Sequence, residues 1–344
     1  MYSFPTFVNV LCIIIFSSTI SYFTYKLLIS NSVVFSKKKI ERQKNLRWGD
    51  SNKSHLGGLA FSICAIITSF IIIFQNTFIL GEITPEYKSF IGIFFIIIIS
   101  SLVGVIDERE NMMPLTKLFF QFIIASVLIW AGFVIPIFDT FFLNVFFSIF
   151  WIILIINSVN MFDNVDGATG TFCLILFSFF LLYALYLNAD LNIILVLSAY
   201  IGSIIIFIIF NFYPSKLFMG DIGSFQLASV VSAVSIKLIW QENTSDMFFD
   251  KIYFFLLNNI IFLLIFLDVI FVSLLRISKN RSPFIGDTNH LSHALINIFK
   301  SPRIAVIILT MITFLLCVIF ILFKSYINDF DFAIKFLALF LIYI

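Results

Sequence analysis

The sequence predicts an all-α, polytopic integral membrane protein with about 10–11 transmembrane helices, the N-terminus outside and the functional loops in the cytoplasm. Three observations predict it. The 344 residues are 61% hydrophobic and only 12% charged, whereas soluble domains carry about 25% charged residues; mean hydropathy is +1.10. Apolar runs long enough to cross a bilayer, about 20 residues each, recur along the whole chain. Lys and Arg fall in alternate connecting loops.

The runs expected to span are 5–29, 56–79, 89–106, 116–135, 141–160, 168–187, 191–212, 224–240, 251–275, 303–323 and 330–344, the last being short. The first lacks a basic leader and a small-residue cleavage site, so it is expected to be a retained span and not a cleaved signal. Loops after odd-numbered spans hold Lys37, Lys38, Lys39, Arg42, Lys44, Arg47 and Lys53, then Arg109 and Lys117, then Lys216, then Arg276, Lys279, Arg281, Lys300 and Arg303. Loops after even-numbered spans hold only Lys88, Lys251 and Lys324. The positive-inside rule therefore puts the odd loops in the cytoplasm. No internal repeat or soluble segment interrupts the pattern, and residues 1–344 read as one membrane domain.

Composition excludes little else. Cys12, Cys64, Cys173 and Cys317 lie inside apolar runs, with neither a disulfide pattern nor a CxxC metal site, and read as small buried hydrophobes. The 48 Phe residues suit lipid-facing surfaces. A formal charge of +2 identifies no partner; membrane lipids are expected, nucleic acid is not, and a homodimer is left open.

The odd loops also carry nearly every residue able to do chemistry. The first holds Ser54-His55-Leu56-Gly57-Gly58, the second Asp107-Glu108-Arg109-Glu110 and Lys117. The third holds Asn157–Gly167, the fourth Gly220-Asp221-Ile222-Gly223-Ser224, and the fifth Ser282-Pro283-Phe284, Asp287, His290 and His293. Even loops such as Gln241–Asp250 are ordinary polar turns. Asn157, Asn160, Asp163 and Asp166 recur every third residue, a spacing that keeps side chains near one helix face. A polar turn needs one or two such residues; four beside two apolar runs call for a compensating role.

Asp107, Glu108, Asp163, Asp166 and Asp221 sit at span ends, where like charges repel unless a cation offsets them. Carboxylate and amide oxygens suit Mg²⁺, with Mn²⁺ as the alternative, and Mg²⁺ takes only one or two protein ligands. Each acid taken alone also reads as a helix cap, Asp221 above all. Lys117 suits a phosphate or a snorkelling lysine. Gly57-Gly58 and Gly223-Ser224 would let backbone approach a diphosphate. His290 and His293 lack the partners of a zinc site; they suit phosphate oxygens or plain solvation. Asp268, inside the apolar run Ile260–Val272, reads as a groove-lining or span-pairing acid, ranked below the loop acids. No Ser–His–Asp or Cys–His nucleophile pattern is present. The set points to phosphoryl transfer at a membrane surface, between a water-soluble phosphorylated donor and a lipid acceptor.

These residues resemble the polyprenyl-phosphate N-acetylhexosamine-1-phosphate transferases over about residues 54–295, by motif order and span parity. Asp107-Glu108 with Lys117 is similar to the family's Asp-Asp motif and downstream lysine. Asn157–Gly167 is similar to its Asn-x-x-Asn-x-x-Asp-Gly-x-Asp-Gly motif. Phe218-Met219-Gly220-Asp221-Ile222-Gly223-Ser224 matches the metal-site motif, and His290-Leu291-Ser292-His293 resembles the histidine loop. Glu108 stands where a second Asp is usual, and Asn164 where Gly is usual.

The resemblance implies a multi-pass inner-membrane enzyme. It would move a sugar-1-phosphate, with N-acetylglucosamine-1-phosphate expected, from a UDP-sugar to polyprenyl phosphate and release UMP. The expected roles are Asp221 and Asn160 as Mg²⁺ ligands, and Asp107, Glu108, Asp163 and Asp166 as catalytic acids. Lys117, Asn157, His290, His293, Gly57 and Gly58 would bind substrate. The alternatives are a phospho-N-acetylmuramoyl-pentapeptide transferase, a secondary transporter, and a scaffold subunit that has lost activity.

Overall fold

A long apolar run in lipid must hydrogen-bond its own backbone, and the α-helix does so within one segment. The computed structural model describes residues 4–30, 53–75, 85–242, 248–280 and 289–325, and every regular element among them is helical. In chain order they are α1 (Phe4–Ser30), α2 (Gly58–Phe74), α3 (Pro85–Glu110), α4 (Pro114–Trp130), α5 (Phe141–Phe162) and α6 (Ala168–Leu187). Next come α7 (Leu191–Asn211), α8 (Gly220–Ser235, continued by a π-helical turn Ile236–Trp240), α9 (Phe248–Ile260), α10 (Leu263–Ser278), α11 (Leu291–Phe299) and α12 (Pro302–Ser325). Seven helices are long and apolar enough to cross a membrane, eight if α9 and α10 count as one span; α2 and α4 are shorter apolar helices. This is the multi-pass all-α protein that the sequence predicts. The span 330–344, the basic run Lys37–Arg47 and the stretch Ser282–Asp287 lie outside the described residues.

The centre of the bundle is α8. Of its best apolar window 94% is buried, against 22% for α1 and 33% for α12. Its serines are satisfied locally: Ser229, Ser232 and Ser235 each donate to a carbonyl three or four residues back. Ser235 also accepts a 3.1 Å bond from the Trp151 indole N–H. Small residues let the neighbours close in. A methyl group on Gly58 would lie 2.1 Å from the Gly223 backbone nitrogen, and one on Gly104 would lie 2.4 Å from the Ile222 Cα. Backbones of α2, α3 and α8 therefore touch at the start of α8.

Four boundaries differ from the sequence expectation. First, α3 continues to Glu110, so Asp107 and Glu108 occupy its last turn and not a loop. Second, α5 ends at Phe162 with Asp163 as its C-cap. Only Asn157 and Asn160 of the four regularly spaced residues share a helix face, because the turn to α6 begins before Asp166. Third, the expected span 251–275 bends by 83° at Ile261–Phe262. Neither Pro nor Gly marks the break; Phe262 and Phe266 instead pack edge-on against Trp151, with centroids 5.3 and 5.7 Å away. Fourth, the histidine loop contains the helix α11, which the sequence reading lacks.

Candidate active site

One end of the bundle gathers the polar motifs. The tight turn joining α3 to α4 forms because Asp107 Oδ1 accepts the Met112 N–H at 2.9 Å, and Pro114 starts α4 where a missing N–H is harmless. Asp107 is fully buried, and its other oxygen lies 2.5 Å from Lys117 Nζ. The adjacent Glu108 turns the other way. Its Oε2 accepts the Asp221 N–H at 3.3 Å, so α3 supplies a carboxylate to the positive N-terminus of α8. Its Oε1 lies 3.5 Å from His55 Nδ1, and the His55 ring packs on Phe218 at 4.9 Å.

The start of α8 requires glycine. Gly220 has φ +71°, and a side chain there would meet the His55 carbonyl oxygen at 1.9 Å. Gly57 and Gly58 donate their N–H groups to Phe218 and Met219 carbonyls at 2.9 Å each. The segment Ser54–Gly58 is thus stitched to the residues before Asp221. Both amides are used in that stitching.

Asn160 reaches α8 from α5, its Oδ1 accepting the Ser224 hydroxyl at 2.8 Å. Asp166 accepts the Ser215 N–H at 3.3 Å. Behind it, Asn211 accepts the Gly167 N–H at 2.9 Å and donates to the Leu217 carbonyl at 2.9 Å. Asn157 has packing partners: its amide exchanges hydrogen bonds with Gln121 at 2.8 and 3.1 Å, tying α5 to α4.

The histidines close the site from another side. His290 and His293 are buried, 4% and 3% exposed, so the solvated-pair reading does not describe them. His290 Nδ1 lies 2.8 Å from Asp268 Oδ2, and Asp268 Oδ1 accepts the Leu291 N–H at 2.7 Å. Ser292 donates to Asn164 Oδ1 at 2.5 Å, linking α11 to the turn that carries Asp163 and Asp166.

Sequence reasoning read Asp268 as a groove-lining or span-pairing acid, and the structure pairs it with His290 and the Leu291 N–H; it left out Gln121 and Asn211. Asp268 was legible as an acid inside an apolar run. For the two amides no local signal exists, since their partners are set by tertiary packing. His55 stood only as part of Ser54–Gly58, and nothing in that segment announces its contact with Glu108.

The donors fit a hard divalent cation. Asp221 and Asn160 present carboxylate and amide oxygens at the same turn of α8, both half-buried. Among the described residues no group of three or more His, Cys, Asp or Glu is placed to hold a metal.

The model of glycosyl transferase family 4 matches residues 90–239, which run from α3 to the end of α8 and include Asp107, Glu108, Lys117, Asn157–Gly167 and Asp221. A phospho-N-acetylmuramoyl-pentapeptide-transferase of Streptococcus pneumoniae (strain 70585) is 30% identical over 201 residues, 53% of this chain and 59% of the relative. One from Streptococcus thermophilus (strain ATCC BAA-250 / LMG 18311) is 31% identical over 202 residues, 53% of this chain and 58% of the relative. The matched stretch thus spans less than two thirds of these relatives. The resemblance to the polyprenyl-phosphate hexosamine-1-phosphate transferases is borne out.

Proposed function

We propose that this chain, with a family 4 glycosyl transferase match over residues 90–239, transfers a sugar-1-phosphate from a UDP-sugar to a polyprenyl phosphate in the inner membrane. The observation that carries the reading is the meeting of three motifs on the first turn of α8: Glu108 on the Asp221 N–H, Asn160 on Ser224, and Gly58 against Gly223. Acids so far apart in sequence that converge at one end of an apolar bundle support a shared ligand. The Lys and Arg distribution supports a cytoplasmic position for that pocket, where a nucleotide sugar is available.

An oxygen of the lipid phosphate attacks the phosphorus nearest the sugar. The bond from that phosphorus to the bridging oxygen breaks, and UMP leaves with that oxygen. A phosphate monoester has its second pKa near 6, so the nucleophile needs little help from a base. Positioning and charge neutralisation dominate instead. Asp221 and Asn160 would hold Mg²⁺, which when bound neutralises diphosphate charge. Lys117 binds phosphate oxygens, held in place by Asp107. Glu108 fixes the N-terminal turn of α8. Asp163 and Asp166 shape the nucleotide side of the pocket. His290 and His293 face phosphate from α11. The pairing of buried Asp107 with Lys117 favours direct attack over an Asp107 phospho-enzyme, because Asp107 would have to leave its lysine to act as nucleophile.

Two donors compete. The spacing His290-Leu291-Ser292-His293 favours UDP-N-acetylglucosamine by resemblance; the names of the relatives favour UDP-N-acetylmuramoyl-pentapeptide. The test is UMP release by purified protein in detergent with polyprenyl phosphate and each donor in turn. We expect release with one donor, arrest by EDTA and recovery with Mg²⁺. Absence of release with every donor, or near-normal release by Asp221→Ala, rejects the reading.

A further inference from the structure

Asp268 is an acid with no place in the roles above, and it is 2% exposed inside an apolar helix. An ionised carboxylate there persists only if its lone pairs are met by donors. Two are met from α11: the His290 ring at Nδ1, 2.8 Å away, and the Leu291 backbone N–H, 2.7 Å away. Both bonds fall at the first turn of α11, whose N-cap residue, His290, makes no side-chain cap of its own. Asp268 therefore caps a helix from outside it. The Ser292–Asn164 bond at 2.5 Å holds the same turn from the opposite direction.

We infer that Asp268 is a positioning residue that fixes the tautomer of His290, so that Nε2 is the only ring atom left to act on a ligand. The argument is one of matching donors to acceptors. A lone pair on Nδ1 facing a carboxylate oxygen at 2.8 Å would set two acceptors against each other, so Nδ1 carries the proton. Nε2 then meets the site either as a lone pair or as the N–H of a fully protonated ring. Against an ionised Asp268, a neutral ring donating from Nε2 would leave Nδ1 and the carboxylate oxygen as two facing acceptors. How the ring is held follows from the structure alone; what it acts on rests on the transferase reading.

Asp268→Asn isolates this role. Asparagine has the same shape but one acceptor oxygen in place of two. The Leu291 N–H can only donate, so it takes that oxygen. The new NH₂ then faces Nδ1 and drives the ring proton to Nε2. A purely architectural Asp268 would tolerate the change; a tautomer-setting one would not. In a serine protease the equivalent exchange beside a catalytic histidine lowers turnover about 10⁴-fold. We expect a loss of about 10²–10³-fold in UMP release here, smaller because metal and lysine share the charge. Asp268→Asn in a His290→Ala background should cost nothing further, since the effect runs through one ring.

The decisive readout needs no activity. The chain has three histidines, so ¹⁵N-histidine labelling gives three imidazoles to resolve in lipid vesicles. The His290 signal is identified by its loss in His290→Gln. A protonated Nδ1 in the native chain, and a shift of the proton to Nε2 in Asp268→Asn, support the inference. A native ring protonated only at Nε2, or a spectrum unchanged by Asp268→Asn, overturns it. Protonated Nδ1 without UMP release from any donor would sink the transferase reading and leave the tautomer assignment standing.

Discussion

At the polar end of the bundle, Asp107 and Glu108 are 0% and 4% exposed, and each is held by partners from other helices. At the other end, Asp139 pairs with Lys251 at 2.8 Å while its own side chain is 92% exposed. The hydrogen bond from Lys251, then its charge, holds the Asp139 carboxyl below its usual range. Glu242 meets Lys324 there at 3.2 Å and also bonds to Tyr183. The same residue types occur at both ends, with different consequences. An exposed pair trades one solvated state for another and contributes little. A buried acid must be matched in the fold, and losing its partner strands a charge. Among the described residues, the acids Asp107, Glu108, Asp166 and Asp268 are buried, and the transferase reading proposed above gives that burial a use.

Substitutions at the two ends test this contrast. The largest effect is expected from Asp221→Ala: UMP release should fall at least about 10³-fold with an unchanged melting temperature, as for loss of a metal or oxyanion contact. Next is Lys117→Ala. It removes the lysine beside the buried Asp107 carboxylate and leaves the Met112 N–H bond in place; we expect a loss of about 3 kcal/mol, the low end for a buried pair because Lys117 is partly exposed. Thermal unfolding in detergent should show that loss, and the double change Lys117→Met with Asp107→Leu should recover stability without recovering turnover. Gly58→Ala pushes a methyl into the Gly223 backbone and should cost about 1–3 kcal/mol by the same assay. Gln121→Ala removes the partner of Asn157 and should cost about 1 kcal/mol while turnover holds. If Asn157→Ala reduces turnover and Gln121→Ala does not, Asn157 also touches the donor. Lys251→Ala, at the far end, should change neither melting temperature nor turnover; a drop in either would erase the contrast.

Much of this was legible in the sequence because lipid imposes simple rules. Span positions follow from apolar length, and loop parity gathered Ser54–Gly58, Asp107–Lys117, Asn157–Gly167, Gly220–Ser224 and His290–His293 at one end. The break at Ile261–Phe262 was hidden because aromatic packing on Trp151 makes it, and no Gly or Pro records that. Helix α11 was hidden because nine residues are too few for periodicity to separate from a loop. Regular spacing misled at Asn157–Asp166, since a period of three says nothing about where the helix stops. Which amide pairs with which, as Asn157 does with Gln121, is set by neighbours 36 positions apart.

Asn211 has a further consequence. Through one amide it anchors the Gly167 N–H on one rim segment and the Leu217 carbonyl on another. Two stretches of chain pinned to a single hinge pin sample few shapes before any visitor arrives. The entropy of ordering them has already been surrendered during folding, so a ligand bound between them would meet a finished berth and keep more of its contact energy as affinity.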